Sequence, residues 1–257
     1  MSPSSPPTAG RVAVHVHDGI ATLAFHHPKG NSLPGTLLTR LAREISALGT
    51  NRDARVIVLR SEGSGPFCAG ASFDELTSIS TPEAGKTFFS GFSRVILAMI
   101  RVPQFVLVRV QGNAAGGAVG LVAASDYSFA VRSAPARLSE LAIGIGPFVV
   151  GPCIERKIGL AAYSTMTVDA DWHDAEWCER HGLYSRLFDT VAEMDAAVDA
   201  RATALAASNP EAMAKLKKIF WAGTENWDQL LAERAAMSGT LVLSDFTRNA
   251  IARFKAK

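Results

Sequence analysis

Cysteine is scarce in this chain, and no two cysteines stand close. Cys68, Cys153 and Cys178 are far apart, with no CxxC pair. That argues against a disulfide framework or a zinc site, so no metal is expected, and it fits a reducing cytoplasm. Excess charge of one sign is also lacking: 26 Lys and Arg stand against 24 Asp and Glu, a formal net charge of +2. No basic run alternates with aromatics, so nucleic acid is not an expected partner. No apolar run approaches the roughly 18 residues of a membrane span. The opening MSPSSPPTAG has neither the basic nor the apolar region of a signal peptide, and 1–10 reads as a disordered tail. Familiar catalytic signatures are missing as well. There is no G-x-S-x-G, no glycine loop ends in Gly-Lys-Ser/Thr, and Ala114 stands where a dinucleotide fingerprint needs its second glycine.

What remains is a 257-residue chain, long enough for a large core. RVAVHVHDGIATLAFHHP alternates apolar and polar residues around Asp18-Gly19 and predicts a hairpin. Leu37, Leu38, Leu41, Ile45 and Leu48 then recur at helical spacing, with Ser32 and Pro34 as start signals. Short apolar runs at 55–60, 104–110 and 126–131 predict buried strands, and 81–100 predicts a helix weakened by Gly91. This alternation predicts an α/β fold with crossover connections over 11–190. Beyond that, 191–257 carries helical stripes only, with Asn209-Pro210-Glu211 as a clear helix start.

Two strand–glycine–helix junctions stand out. VQGNAAGGAVGLVAASD (110–126) follows one strand, and SEGSGPFCAGASFDEL (61–76) follows another. Glycine lets a ligand approach the backbone, and a helix start leaves N–H groups free. Each loop alone is equally well explained by close packing of small residues. Two of them could aim two N–H donors at one point, as an oxyanion hole requires.

FCAGASFDEL, RVQGNAAGGAVGLVAASD and LSELAIGIGP, in this order and spacing, resemble the crotonase (enoyl-CoA hydratase/isomerase) family. HPKGNSLPGTLLTRLAREI, DWHDAEWCERHGLYSRLF and ASNPEAMAKLKKIF extend the resemblance to nearly the whole chain. It implies a spiral of ββα units with a C-terminal helical trimerisation region, hence a homotrimer or hexamer. It implies an acyl-CoA thioester whose carbonyl oxygen lies between the amides of Ala71 and Gly117, with coenzyme A as part of the substrate and no separate cofactor. Of the family's two carboxylate positions, one is Glu140 and the other is Gly120, which has no acid and reads as open room. The resemblance places coenzyme A against Cys68, Ala69, Gly70, Ala71, Ser72 and Gly116, with Lys29 toward its phosphates. Phe88, Phe92, Pro147 and Phe148 are candidate acyl-pocket walls. His26 and His27 should point to opposite strand faces, and His173 and His181 should lie on the surface.

The implied activity is hydration of a 2-enoyl-CoA, with Glu140 as acid–base. A Δ3-Δ2 isomerase and an acyl-CoA decarboxylase remain open, since one carboxylate suffices for either. A weakly active acyl-CoA- or RNA-binding relative is the non-enzyme alternative. Retention of Glu140 and both loops speaks against it.

Overall fold

The computed structural model describes residues 10–255; the expected N-terminal tail lies almost wholly outside them. In chain order the elements are β1 (Arg11–His17), β2 (Ile20–His26), α1 (Gly35–Leu48), β3 (Val56–Ser61), α2 (Phe73–Ser78), α3 (Pro82–Arg101) and β4 (Phe105–Val110). There follow β5 (Ala114–Ala115), α4 (Gly117–Ala123), β6 (Tyr127–Val131), β7 (Ala136–Arg137) and a 3-10 turn at Leu141–Ile143. The rest is α5 (Gly151–Asp169), α6 (Ala175–Arg180), β8 (Arg186–Phe188), α7 (Val191–Ala206), α8 (Pro210–Phe220), α9 (Trp227–Leu241) and α10 (Asp245–Lys255).

The hairpin forms as the sequence predicts. Asp18 and Gly19 both take positive φ, the conformation a tight two-residue turn needs. β1 pairs antiparallel with β2, and every later neighbour in the order β1-β2-β3-β4-β6-β8 is parallel. β3, β4 and β6 are buried on nearly all positions, as parallel strands covered on both faces must be. A second, two-stranded sheet pairs β5 with β7 and holds the middle of the site.

The helix α3 runs through Gly91, which sits at a close contact. A Cβ there would stand 2.6 Å from Leu38 Cδ1, so the missing side chain lets α1 and α3 pack closely. Gly85 of α3 meets Gly239 of α9 in the same way. The main apolar core runs without a break from Val12 to Ala235, so α7 and α9 pack on the α/β layer. Asp126, which ends the second glycine loop, is a structural tie. Its carboxylate accepts from Lys217 Nζ at 2.6 Å, from the Val106 amide at 2.7 Å and from Trp221 Nε1 at 3.3 Å, anchoring α8. Among the described residues no helix is long and apolar enough to cross a membrane.

Candidate active site

The two glycine loops meet. Cys68 forms a bridge to Ala114 through Cys68 N–H to Asn113 O and Ala115 N–H to Cys68 O, at 3.2 and 3.0 Å. β5 is then clamped on its other side by β7, and Gly116 N–H donates to Arg137 O at 2.8 Å. Gly70 takes φ +89°, and a Cβ there would stand 2.8 Å from Ala115 O, so only glycine lets the first loop pass the second. Among the described residues neither Ala71 N–H nor Gly117 N–H donates to a protein acceptor. Both residues line one cavity of about 730 Å³.

β7 delivers Glu140 to the same cavity. Its carboxyl lies over Gly116, where a Cβ would stand 3.2 Å from Oε1. Oε2 is buried without a hydrogen-bond partner. Burial raises its pKa to about 7, against the opposing pull of the backbone amides of Glu140 and Ser139 and the charge of Arg137. Among the described residues it is the one carboxylate lining the cavity. A carboxyl near neutrality beside two unpaired N–H donors is equipped to move protons next to a developing oxyanion.

The walls are apolar. Phe88, Phe92, Pro147 and Phe148 line the cavity as the sequence suggests, and Phe73, Leu76, Phe89 and Ile145 join them. The α10 helix closes one side: its Thr247 Oγ1 donates to Gly144 O at 3.3 Å, fixing the turn that follows Glu140.

Several expected site residues lie elsewhere. Gly120 is not open room. A Cβ there would stand 2.5 Å from Val150 Cγ1 and 2.7 Å from Val150 Cβ, and Val150, not Gly120, lines the cavity. A Cβ at Gly117 would stand 2.4 Å from the Phe92 ring, so that ring fills the space a side chain would need. Cys68 is fully buried beneath the loop, and burial pushes its thiol up to about 12. Ser72 caps α2 by accepting from Glu75 N–H and does not face the cavity. Lys29 is exposed and forms an ion pair with Asp74, outside the cavity. Ala69, Gly70, Ala71 and Gly116 do line it. His173 is largely buried against Trp177 rather than on the surface, whereas His181 is exposed. Arg137, Ser139, Trp172 and Arg253 are cavity residues that sequence reasoning missed.

The family model for enoyl-CoA hydratase/isomerase matches residues 15–255. The chain belongs to the enoyl-CoA hydratase/isomerase family. It is 33% identical over 181 residues to the mitochondrial methylglutaconyl-CoA hydratase of Rattus norvegicus, covering 70% of this chain. That match spans only 57% of the relative's length. It is 23% identical over 213 residues to the ethylmalonyl-CoA decarboxylase of Gallus gallus, covering 81% of this chain and 71% of that one. The enoyl-CoA hydratase structure from Bacillus halodurans superposes with a TM-score of 0.87 at 20% identity, covering 94% of this chain and 99% of the other. The fold is crotonase-like, as the sequence predicts.

Proposed function

We propose that this family member binds an acyl-CoA thioester and hydrates a 2-enoyl group through an enolate. The Ala71 and Gly117 N–H groups hold the thioester carbonyl oxygen, and Glu140 is the acid–base. As water oxygen bonds to the β-carbon, Glu140 takes a water proton and the C=C electrons move into the enolate. Glu140 then returns the proton to the α-carbon, so atoms and charge balance with one carboxyl group. The observation that carries this reading is the unpartnered Glu140 oxygen beside two unpaired N–H donors in one apolar cavity. The named hydratase relative supports hydration over other enolate reactions.

A second reading has its own support. Val150 fills the place where a second acid would stand at position 120, so water meets an apolar wall on that side. A Δ3-Δ2 isomerase needs no such acid: Glu140 takes a proton from C2 of a 3-enoyl group and returns it at C4. Decarboxylation of a thioester carrying a carboxylate, a relative's activity, passes through the same enolate. Side-by-side turnover of crotonyl-CoA, 3-hexenoyl-CoA and 3-methylglutaconyl-CoA tests the choice. Hydration of the first or third supports the lead reading. Turnover of 3-hexenoyl-CoA alone replaces it with isomerisation; turnover of none leaves decarboxylation, tested with ethylmalonyl-CoA, and failure there too favours a binding relative.

A further inference from the structure

Among the described residues no carboxylate forms an ion pair with Arg137, whose charge reaches Glu140 across the cavity without contact. Arg137 lines the same cavity as Glu140, from the strand that pairs with the Gly116 loop. Glu140 stands three residues on and Asp169 and Asp171 adjoin the residues that Arg137 touches, yet none of the three forms an ion pair with it. Glu140 is directed over Gly116. Asp169 approaches His173 at 3.6 Å, and Asp171 accepts from the Trp172 amide at 2.7 Å. The guanidinium is instead held by neutral groups. Its Nε donates to Ala170 O at 2.8 Å, and it sits over the Trp172 ring at 6.0 Å. Ala170 itself takes φ +48°; among the described residues the other two non-glycines with positive φ are Asp18 and Asn31, types that tolerate it. A strained backbone thus presents the carbonyl that fixes Arg137. These contacts use one of the five N–H donors and, among the described residues, leave both terminal nitrogens, the fork that matches a carboxylate, without a protein acceptor.

We infer that Arg137 reads a carboxylate on the acyl group, making a dicarboxylic acyl-CoA the substrate class of this site. This rests on the acyl-CoA reading above. A cavity walled mainly by apolar side chains gains little from an unpaired cation, since desolvating one is costly without a partner. An anionic acyl end supplies that partner, whereas a simple alkyl chain leaves it unmet.

Binding of saturated thioesters separates this inference from the reaction, because none of them can be hydrated. The full-length chain is titrated calorimetrically with coenzyme A, hexanoyl-CoA, glutaryl-CoA and adipyl-CoA, and so are Arg137→Gln and Arg137→Lys. The better of the two diacid thioesters should bind at least about tenfold tighter than hexanoyl-CoA, as a charge-assisted fork permits. Arg137→Gln should abolish that preference while leaving hexanoyl-CoA and coenzyme A unchanged, and Arg137→Lys should keep part of it. Arg253→Gln, which alters the exposed cation of the same cavity, should leave the preference intact. Equal binding of diacid and hexanoyl thioesters by the wild type overturns the inference while leaving the acyl-CoA reading in place. An equal loss for every ligand, coenzyme A included, in Arg137→Gln assigns the guanidinium to the coenzyme phosphates and overturns it too. Failure of all thioesters to bind the wild type removes both.

Discussion

Glu140 rests its carboxyl over Gly116, with Oε1 3.2 Å from where a Cβ on that glycine would be. Gly116 also takes φ +56° and ψ −123°, a conformation that side chains rarely adopt. One residue thus sets both the entry of the Gly117 amide and the seat of the acid–base. Gly116→Ala should cost about 1–3 kcal/mol of stability from backbone strain. It should also lower kcat more than it raises KM, since the carboxyl is displaced from its seat. Urea unfolding and steady-state kinetics on one preparation check both effects.

The pH profile should follow Glu140. In hydration and in isomerisation alike its first act is to take a proton, so the carboxylate is the working form. With a pKa raised to about 7 by burial, kcat/KM should fall roughly tenfold per pH unit below about 7. Stability should run the other way. Between about pH 4.5 and 7 the folded chain keeps a proton that the unfolded chain has lost, so stability falls as pH rises through that window. The Glu140→Gln variant should lack this trend when unfolding is compared from pH 4.5 to 8.

Val150 and Gly120 should behave as a packed pair. Gly120→Ala brings a Cβ within 2.5 Å of Val150 Cγ1. Overpacking of this kind costs about 1–3 kcal/mol, partly offset by the helix preference of alanine, worth up to about 1 kcal/mol. In a Val150→Ala background the same change should cost less but not nothing, because alanine keeps the Cβ that stands 2.7 Å from the new one. A double-mutant cycle by urea unfolding measures the coupling, and additive effects would show that the two side chains do not compete for one space.

The chain should form trimers or dimers of trimers. Leu160 and Val168 on α5, Ile219 on α8 and Phe246 on α10 are 62–70% exposed in the isolated chain. Exposed apolar faces of that kind mark interaction surfaces. Light scattering at micromolar concentration should give three or six times the chain mass of 27.3 kDa; a monomer mass contradicts this.

Much of the fold was legible because its signals are local. The Asp18-Gly19 turn, the apolar strands and the Asn209-Pro210 start each follow from the residues they contain. The helix at Gly151–Asp169 left no such trace: it opens on Gly151-Pro152 and breaks at Gly159, which interrupts the stripe of Cys153, Ile154, Ile158, Ala162 and Met166. At the site, the two loops were readable as strand–glycine–helix junctions, whereas Glu140 came only with the family resemblance. Gly120 was misread because its neighbour, Val150, lies 30 residues on, and a sequence does not show what fills the space beside a glycine. Arg137 was missed for a related reason: its meaning depends on Ala170 and Trp172, which only the folded chain brings beside it.

Glu140→Gln should lower turnover of the true substrate by roughly 10²- to 10⁴-fold while retaining thioester binding. The most direct test of Glu140 as the group that moves a proton at the α-carbon avoids choosing that substrate. Hexanoyl-CoA is held with the protein in D₂O, and deuterium entry at C2 is followed by NMR for wild type and Glu140→Gln. The account predicts enzyme-dependent exchange of a C2 proton in the wild type and its loss by a similar factor in the variant, with calorimetry showing that both still bind the thioester. Exchange in Glu140→Gln at the wild-type rate, or no exchange in a wild type that binds the ligand, would contradict it.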